Sequence, residues 1–252
     1  DPEAAGRPLD VAGAALAALG LAGVTYALTE GPGSGWGAPA TVVLGVLGTA
    51  ALAAFVLVEA RSAHALVPLG IFRSRLFTAA NLVTLVVYAA LSGALFLLPI
   101  QLQQVVGYSP LQAGMALIPM TVMMLLLSPT AGRLSQRIGP RLPMGVGPLV
   151  GAAGLALMVP VGEGAGYVTQ ILPPVVIFGL GLAITVAPLT ATVLGAAPEE
   201  QAGVASAINN DVARVAGLLA VAVIPVMAGI GGADYLDPVA FDKGYRTGMW
   251  IS

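Results

Sequence analysis

The chain has 252 residues, 58% of them hydrophobic and only 9% charged, with a mean hydropathy of +0.93 and a formal net charge of −2. Soluble domains carry roughly 25% charged residues, so this chain lacks the polar surface that a water-soluble fold of its size needs. It has no cysteine and one histidine, His64, which excludes disulfides, thiolate metal sites and multi-imidazole zinc or haem sites; no metal site and no cofactor is expected. No cluster of basic residues is dense enough for a phosphate-binding footprint, so nucleic acid is not an expected partner.

The charges are spaced so as to leave long neutral runs. No Asp, Glu, Lys or Arg occurs in residues 11–29, 31–58, 76–132, 142–162, 164–198 or 215–233. A membrane-spanning helix needs about 20 mostly apolar residues, and the run 76–132 is long enough for two. In chain order, seven spans are expected at about 11–29, 39–58, 77–100, 112–130, 142–160, 168–194 and 202–230, with an eighth helix starting near Tyr245. The sequence Gly31-Pro32-Gly33-Ser34-Gly35-Trp36-Gly37 reads as the turn between the first two, with Trp36 suited to the membrane interface. Gly107, Ser109 and Pro110 punctuate the third and fourth. The expected fold class is all-α, a polytopic transmembrane bundle.

Lys and Arg in the loops set orientation. With the amino end in the cytoplasm, Arg7, Arg61, Arg73, Arg75, Arg133, Arg137 and Arg141 lie inside, and only Lys243 and Arg246 lie outside. A multi-pass protein of a plasma membrane, with lipid as its first partner, is the expectation. Small residues recur within the spans, as in Gly147-x-x-x-Gly151 and Gly179-x-Gly181, and let helices approach closely. Prolines such as Pro99, Pro119, Pro173, Pro174, Pro188 and Pro225 favour kinks. The start at Asp1 reads as a polar linker and the end at Ser252 as a helix cut short, so the chain is expected to be a piece of a longer protein.

Two groups of residues carry chemistry. The segment Gly132-Arg133-Leu134-Ser135-Gln136-Arg137-Ile138-Gly139-Pro140-Arg141 reads as a cytoplasmic loop whose glycines allow a sharp reversal and whose arginines can bind helix ends, carboxylates or headgroups. The seventh span holds Asn209, Asn210, Asp211 and Arg214. Asn210 and Asp211 stand four and three residues before Arg214, so they share a side of the helix. A charge at bilayer depth costs about 2.5–3.5 kcal/mol on insertion scales, and such residues face a cavity or a partner. Two readings stand: a coupling site, or an Asp211–Arg214 pair that neutralises itself and braces the bundle. In the third span Asn81 and Tyr88, with Ser92, fall on one broad face; a water-lined path and interhelical hydrogen bonding are the alternatives. No catalytic constellation is visible, and an enzyme is not expected.

The segment 132–141 resembles the signature loop of the major facilitator superfamily, G-x-x-x-D-R-x-G-x-R. Leu98-Pro99-Ile100-Gln101-Leu102-Gln103-Gln104-Val105, Gly107-Tyr108-Ser109-Pro110-Leu111-Gln112-Ala113-Gly114, Ala187-Pro188-Leu189-Thr190 and Ala202-Gly203-Val204-Ala205-Ser206 are similar to the fourteen-span drug:proton antiporters of that superfamily, the EmrB/QacA type. The resemblance runs in order along nearly the whole chain. It implies a cytoplasmic linker at 1–10, the family's extra central helix pair at 11–58, a cytoplasmic loop at 59–76, five spans of the carboxyl-terminal bundle at 77–230, and an outer loop with the start of a truncated final span at 231–252. It implies proton-coupled export of small hydrophobic compounds by alternating access, with protons, the substrate and the missing amino-terminal half of the same chain as partners. Asp211, Arg214, Asn210, Asn209, Asn81 and Tyr88 become candidates for the transport cavity or coupling. Gly132, Arg133, Gln136, Arg137, Gly139 and Arg141 become candidates for the gate. Gln136 stands where the superfamily usually has Asp, so the charge lock that Asp supplies has no counterpart at this position. Export of one specific lipid, peptide or siderophore, and a non-transporting seven-span receptor or scaffold, are the rival readings.

Overall fold

The computed structural model describes residues 10–62, 67 and 69–252, and His64 and Arg7 lie outside them. The described chain is helical and contains no strand. Its helices are α1 (Val11–Ser34), α2 (Pro39–Arg61), α3 (Arg75–Gln104), α4 (Pro110–Ala116), α5 (Ile118–Ile138), α6 (Arg141–Met158), α7 (Leu172–Gly195), α8 (Ala202–Met227) and α9 (Pro238–Ile251). Among the described residues seven spans are long and apolar enough to cross a membrane, α4 and α5 together forming one of them.

Polar residues at the ends start these helices. The Asp10 carboxylate accepts the Gly13 N–H at 2.7 Å, Ser74 caps α3, and Ser109 with Gln112 forms a reciprocal capping box on α4. Asp237 accepts the N–H groups of Val239 and Ala240 and starts α9 seven residues before Tyr245, earlier than the sequence suggests. The fourth span is broken at Leu117. Pro119 has no N–H and its ring crowds the carbonyl one turn back, so α4 stops and α5 starts anew. A short π-helical turn, Tyr167–Ile171, leads into α7 just ahead of Pro173 and Pro174. Pro99, Pro129, Pro148, Pro188 and Pro225 stay inside their helices.

Three turns differ from the sequence reading. α1 runs on through Ser34, and the reversal to α2 is made at Gly35, whose φ is +95°. Trp36 folds back so that its ring lies over Gly31, where a side chain would collide with it. Between α5 and α6 the reversal is only Gly139-Pro140, with Gly139 at φ +85°. Residues 132–138 are therefore the last two turns of α5 rather than a loop, because their backbone continues the helix until glycine permits a left-handed residue. α2 extends past Val58 to Arg61 and so takes in Glu59.

Packing follows the glycines. α6 and α7 touch along Gly147, Gly151 and Gly154 on one side and Phe178, Gly181 and Thr185 on the other. A Cβ on Gly154 would stand 2.6 Å from the Phe178 nitrogen, so backbones meet there. α1 and α2 form a hairpin that closes on Gly23 and Gly48, and α1 leans on α8. α3 packs on α8, and α5 on α7. A large apolar core joins α3, α4, α5, α6, α7, α8 and α9, and a smaller one at the end where α3 and α8 begin joins Ile71, Phe77, Leu189, Val193, Ala205 and Ile208. Large apolar side chains such as Val46, Leu47 and Leu57 face outward, as a lipid-facing surface requires.

Candidate transport and coupling site

α8 brings four polar residues to the middle of its 26 residues, and the bundle sorts them. Asn209 turns inward. Its side-chain amide donates to the Thr84 hydroxyl at 2.6 Å and to the Asn81 side-chain oxygen at 3.2 Å, both on α3. Asn81 and Thr84 are buried, and each also donates to a carbonyl one turn back on α3, Asn81 to Phe77 and Thr84 to Ala80. This chain of amides and hydroxyls is satisfied within the bundle and ties α3 to α8. Thr84 completes it.

Asn210, Asp211 and Arg214 lie on the opposite, exposed side of α8. Among the described residues the one ion pair is Asp242–Arg246, so Asp211 and Arg214 do not neutralise each other by direct contact. Arg214 lines a crevice of about 560 Å³ with Thr25 and Thr29 of α1, Ser92 of α3, and Gly217 of α8. A Cβ on Gly217 would stand 2.8 Å from the Ser92 hydroxyl, so glycine is what brings α8 against α3 at that level. Tyr88 is half-buried on α3, one turn before Ser92.

The α5–α6 end presents Arg133, Gln136, Arg137 and Arg141 to the exterior, while Gly132 and Gly139 are half-buried. Arg133 reaches back to the Pro129 carbonyl at 3.4 Å, and the other three form no ion pair with a described residue. Ser135 is buried, at 7% exposure.

Polar groups outside the candidate site residues also stand out near the helix ends. Glu59, at 3% exposure, is a buried carboxylate in the last turn of α2. Gln101 is fully buried near the carboxyl end of α3 and donates to the Val161 carbonyl at 2.8 Å and the Asp242 carboxylate at 2.6 Å. Asp242 in turn accepts from Arg246, and the buried Tyr245 hydroxyl donates to the Met158 carbonyl, so α9 is fastened to α3 and α6 at this end. Above it, Tyr235 sits between Phe96 and Phe241, and burial, with the Asp234 carboxylate beside it, pushes its phenol up. Polar residues near the apolar ends of spans were the available signal for these groups.

Seven apolar spans among the described residues, with hydrogen-bonded polar side chains between α3 and α8 and exposed polar side chains on α8, define a polytopic α-helical membrane protein. The chain belongs to the Major Facilitator Superfamily, whose profile matches residues 9–221. It is 33% identical over 226 residues to the tetracenomycin C resistance and export protein of Streptomyces glaucescens, covering 89% of this chain and 42% of that protein. It is 34% identical over 231 residues to a puromycin resistance protein of Streptomyces alboniger, covering 90% and 46%. A multidrug resistance protein of Mycobacterium tuberculosis is 32% identical over 211 residues, covering 81% and 38%. The chain spans about half the length of the curated relatives it matches.

Proposed function

We propose that this chain is the carboxyl-terminal half of a proton-coupled exporter of small hydrophobic compounds, working by alternating access in a bacterial plasma membrane with its amino end in the cytoplasm. The carrying observation is the exposed strip Asn210, Asp211 and Arg214 within the span formed by α8, without an ion-pair partner among the described residues and turned away from Asn81 and Thr84 of α3. Charges at that depth need a cavity or a partner, and the remaining half of such a carrier supplies both. The relatives' names, which speak of tetracenomycin C, puromycin and multiple drugs, support a hydrophobic, drug-like substrate.

In this reading Asp211 takes a proton from the outer side and loses it inside, and Arg214 alters how readily it does so. Arg133, Arg137 and Arg141 engage carboxylates or lipid headgroups at the inner face, with Gln136 contributing hydrogen bonds and no charge. Asn81, Thr84 and Asn209 hold α3 and α8 as one body while the two halves rock. The test is Asp211→Asn in the full-length protein, reconstituted in vesicles. Loss of pH-driven drug export with normal membrane yield supports the assignment. Normal drug-dependent proton release from a well-folded variant would sink it.

A further inference from the structure

The inner end of the α1–α2 hairpin carries a second acidic site, far along the helices from Asp211. Asp10 uses one oxygen, Oδ1, to cap α1, and Glu59 uses one oxygen, Oε2, to accept the Val67 N–H at 2.9 Å. Their other oxygens, Asp10 Oδ2 and Glu59 Oε1, are buried and have no hydrogen-bond partner among the described residues. Both point at the same spot. A Cβ built on Gly13 would stand 2.7 Å from Glu59 Oε1 and 3.0 Å from Asp10 Oδ2. Gly13 thus leaves a notch into which two orphan acceptors from two helices converge.

This arrangement is unfavourable as two bare anions. A buried acceptor without a donor costs about 1–3 kcal/mol, more when charged, and two carboxylates in one site disfavour each other's charge. Arg61, two residues beyond Glu59 on α2, is exposed and forms no ion pair with a described residue. α8, the other helix against α1, brings Arg214 to the level of Thr25, about 18 Å along α1 from Gly13, with Asp211 one turn nearer. Neither end of the notch is neutralised from there.

We propose that Asp10 and Glu59 hold one small cation between their free oxygens, a proton or a sodium-class monovalent ion, at the inner end of the central helix pair. A proton placed on Asp10 Oδ2 would donate to Glu59 Oε1; a sodium-class ion would take both oxygens as ligands. Either charge closes the hairpin beside the Glu59 oxygen that already accepts the Val67 N–H. The site is independent of the coupling role of Asp211 and survives its failure.

The experiment is the thermal midpoint of the purified full-length carrier in detergent, followed from about pH 6 to about pH 9 in sodium or choline chloride at equal ionic strength. A folded state that holds an extra proton loses stability as pH rises, so the wild type in choline should lose about 3 °C or more across that range. If sodium restores the midpoint at high pH, the occupant is the metal ion; if it does not, the occupant is the proton. In Glu59→Gln the amide donates to Asp10 Oδ2 in place of the cation, and the dependence should disappear. Asp10→Asn serves as the second variant, and the whole series is repeated with His64→Gln so that imidazole titration is not mistaken for the site. A wild type that responds to neither pH nor sodium would overturn the proposal, because a neutral water then suffices in the notch. The same pH and sodium response in wild type and in Glu59→Gln or Asp10→Asn would overturn it equally.

Discussion

At the scale of single residues, neighbours in sequence part company in space. Asn209 and Asp211 are two residues apart on α8, yet Asn209 donates to Thr84 and Asn81 while Asp211 is exposed. Their substitutions should therefore separate stability from transport. Asn209→Ala removes the α8 amide that donates to Asn81 and Thr84 of α3 and should lower unfolding stability by about 1–2 kcal/mol, leaving the pH profile of export in place. Thermal melts beside vesicle export check both halves of that expectation. Asp211→Asn should do the reverse. Arg214→Ala should harm more than the double change Asp211→Asn with Arg214→Ala, since the single change leaves a carboxylate at membrane depth without its neighbouring cation. Equal yields and equal export from the single and double variants would remove Arg214 from the account.

Among the elements, the α6–α7 contact is the closest. Gly181 lies against the backbone of Gly151 and Gly147, with the Gly151 Cα 2.6 Å from where its Cβ would be. Gly181→Val should push the helices apart and abolish most folded protein in the membrane. Gly203→Ala, on the first turn of α8 with nothing within 4 Å, should be neutral in the same expression assay. The α5–α6 turn offers a topology test. Ser135 is buried, so a cysteine there would stay unlabelled on either side of the membrane. Gln136→Cys is exposed, and in this cysteine-free chain it should react with an impermeant thiol reagent only after cells are opened. Labelling in intact cells would invert the orientation.

For the whole molecule, the fold leaves Asn210, Asp211 and Arg214 exposed within a span, on a side of α8 that the described helices leave open. Alternating access needs two bundles around one site, and the chain spans about half the length of its relatives. Residues 1–252 alone should insert into membranes and show no proton-driven drug uptake in inverted vesicles. Uptake by that segment would refute the two-half mechanism.

The seven spans were readable directly, because a helix in lipid must be apolar for about 20 residues whatever it packs against. Loop charge, the small-residue contacts of Gly147, Gly151 and Gly181, and the family resemblance around Gly132–Arg141 were also legible in order along the chain. Helix ends were less so. The charge of Glu59 suggested a stop at Val58, and the glycines from Gly132 suggested a loop, but a backbone continues its hydrogen bonds past a single charge or a single glycine until a residue such as Gly139 turns it. The sorting of polar side chains was beyond reach of the sequence. Successive residues of a helix point about 100° apart, so position alone puts Asn209, Asn210 and Asp211 on candidate faces without saying which face meets α3. Asp10 and Glu59 are separated by a whole hairpin, and only the pairing of α1 with α2 brings their free oxygens together beside Gly13. Composition determined that this chain lives in a membrane, because burial in lipid is a property of each segment. Which polar groups became struts and which remained available for chemistry was decided by tertiary packing, because that depends on the neighbour each side chain meets.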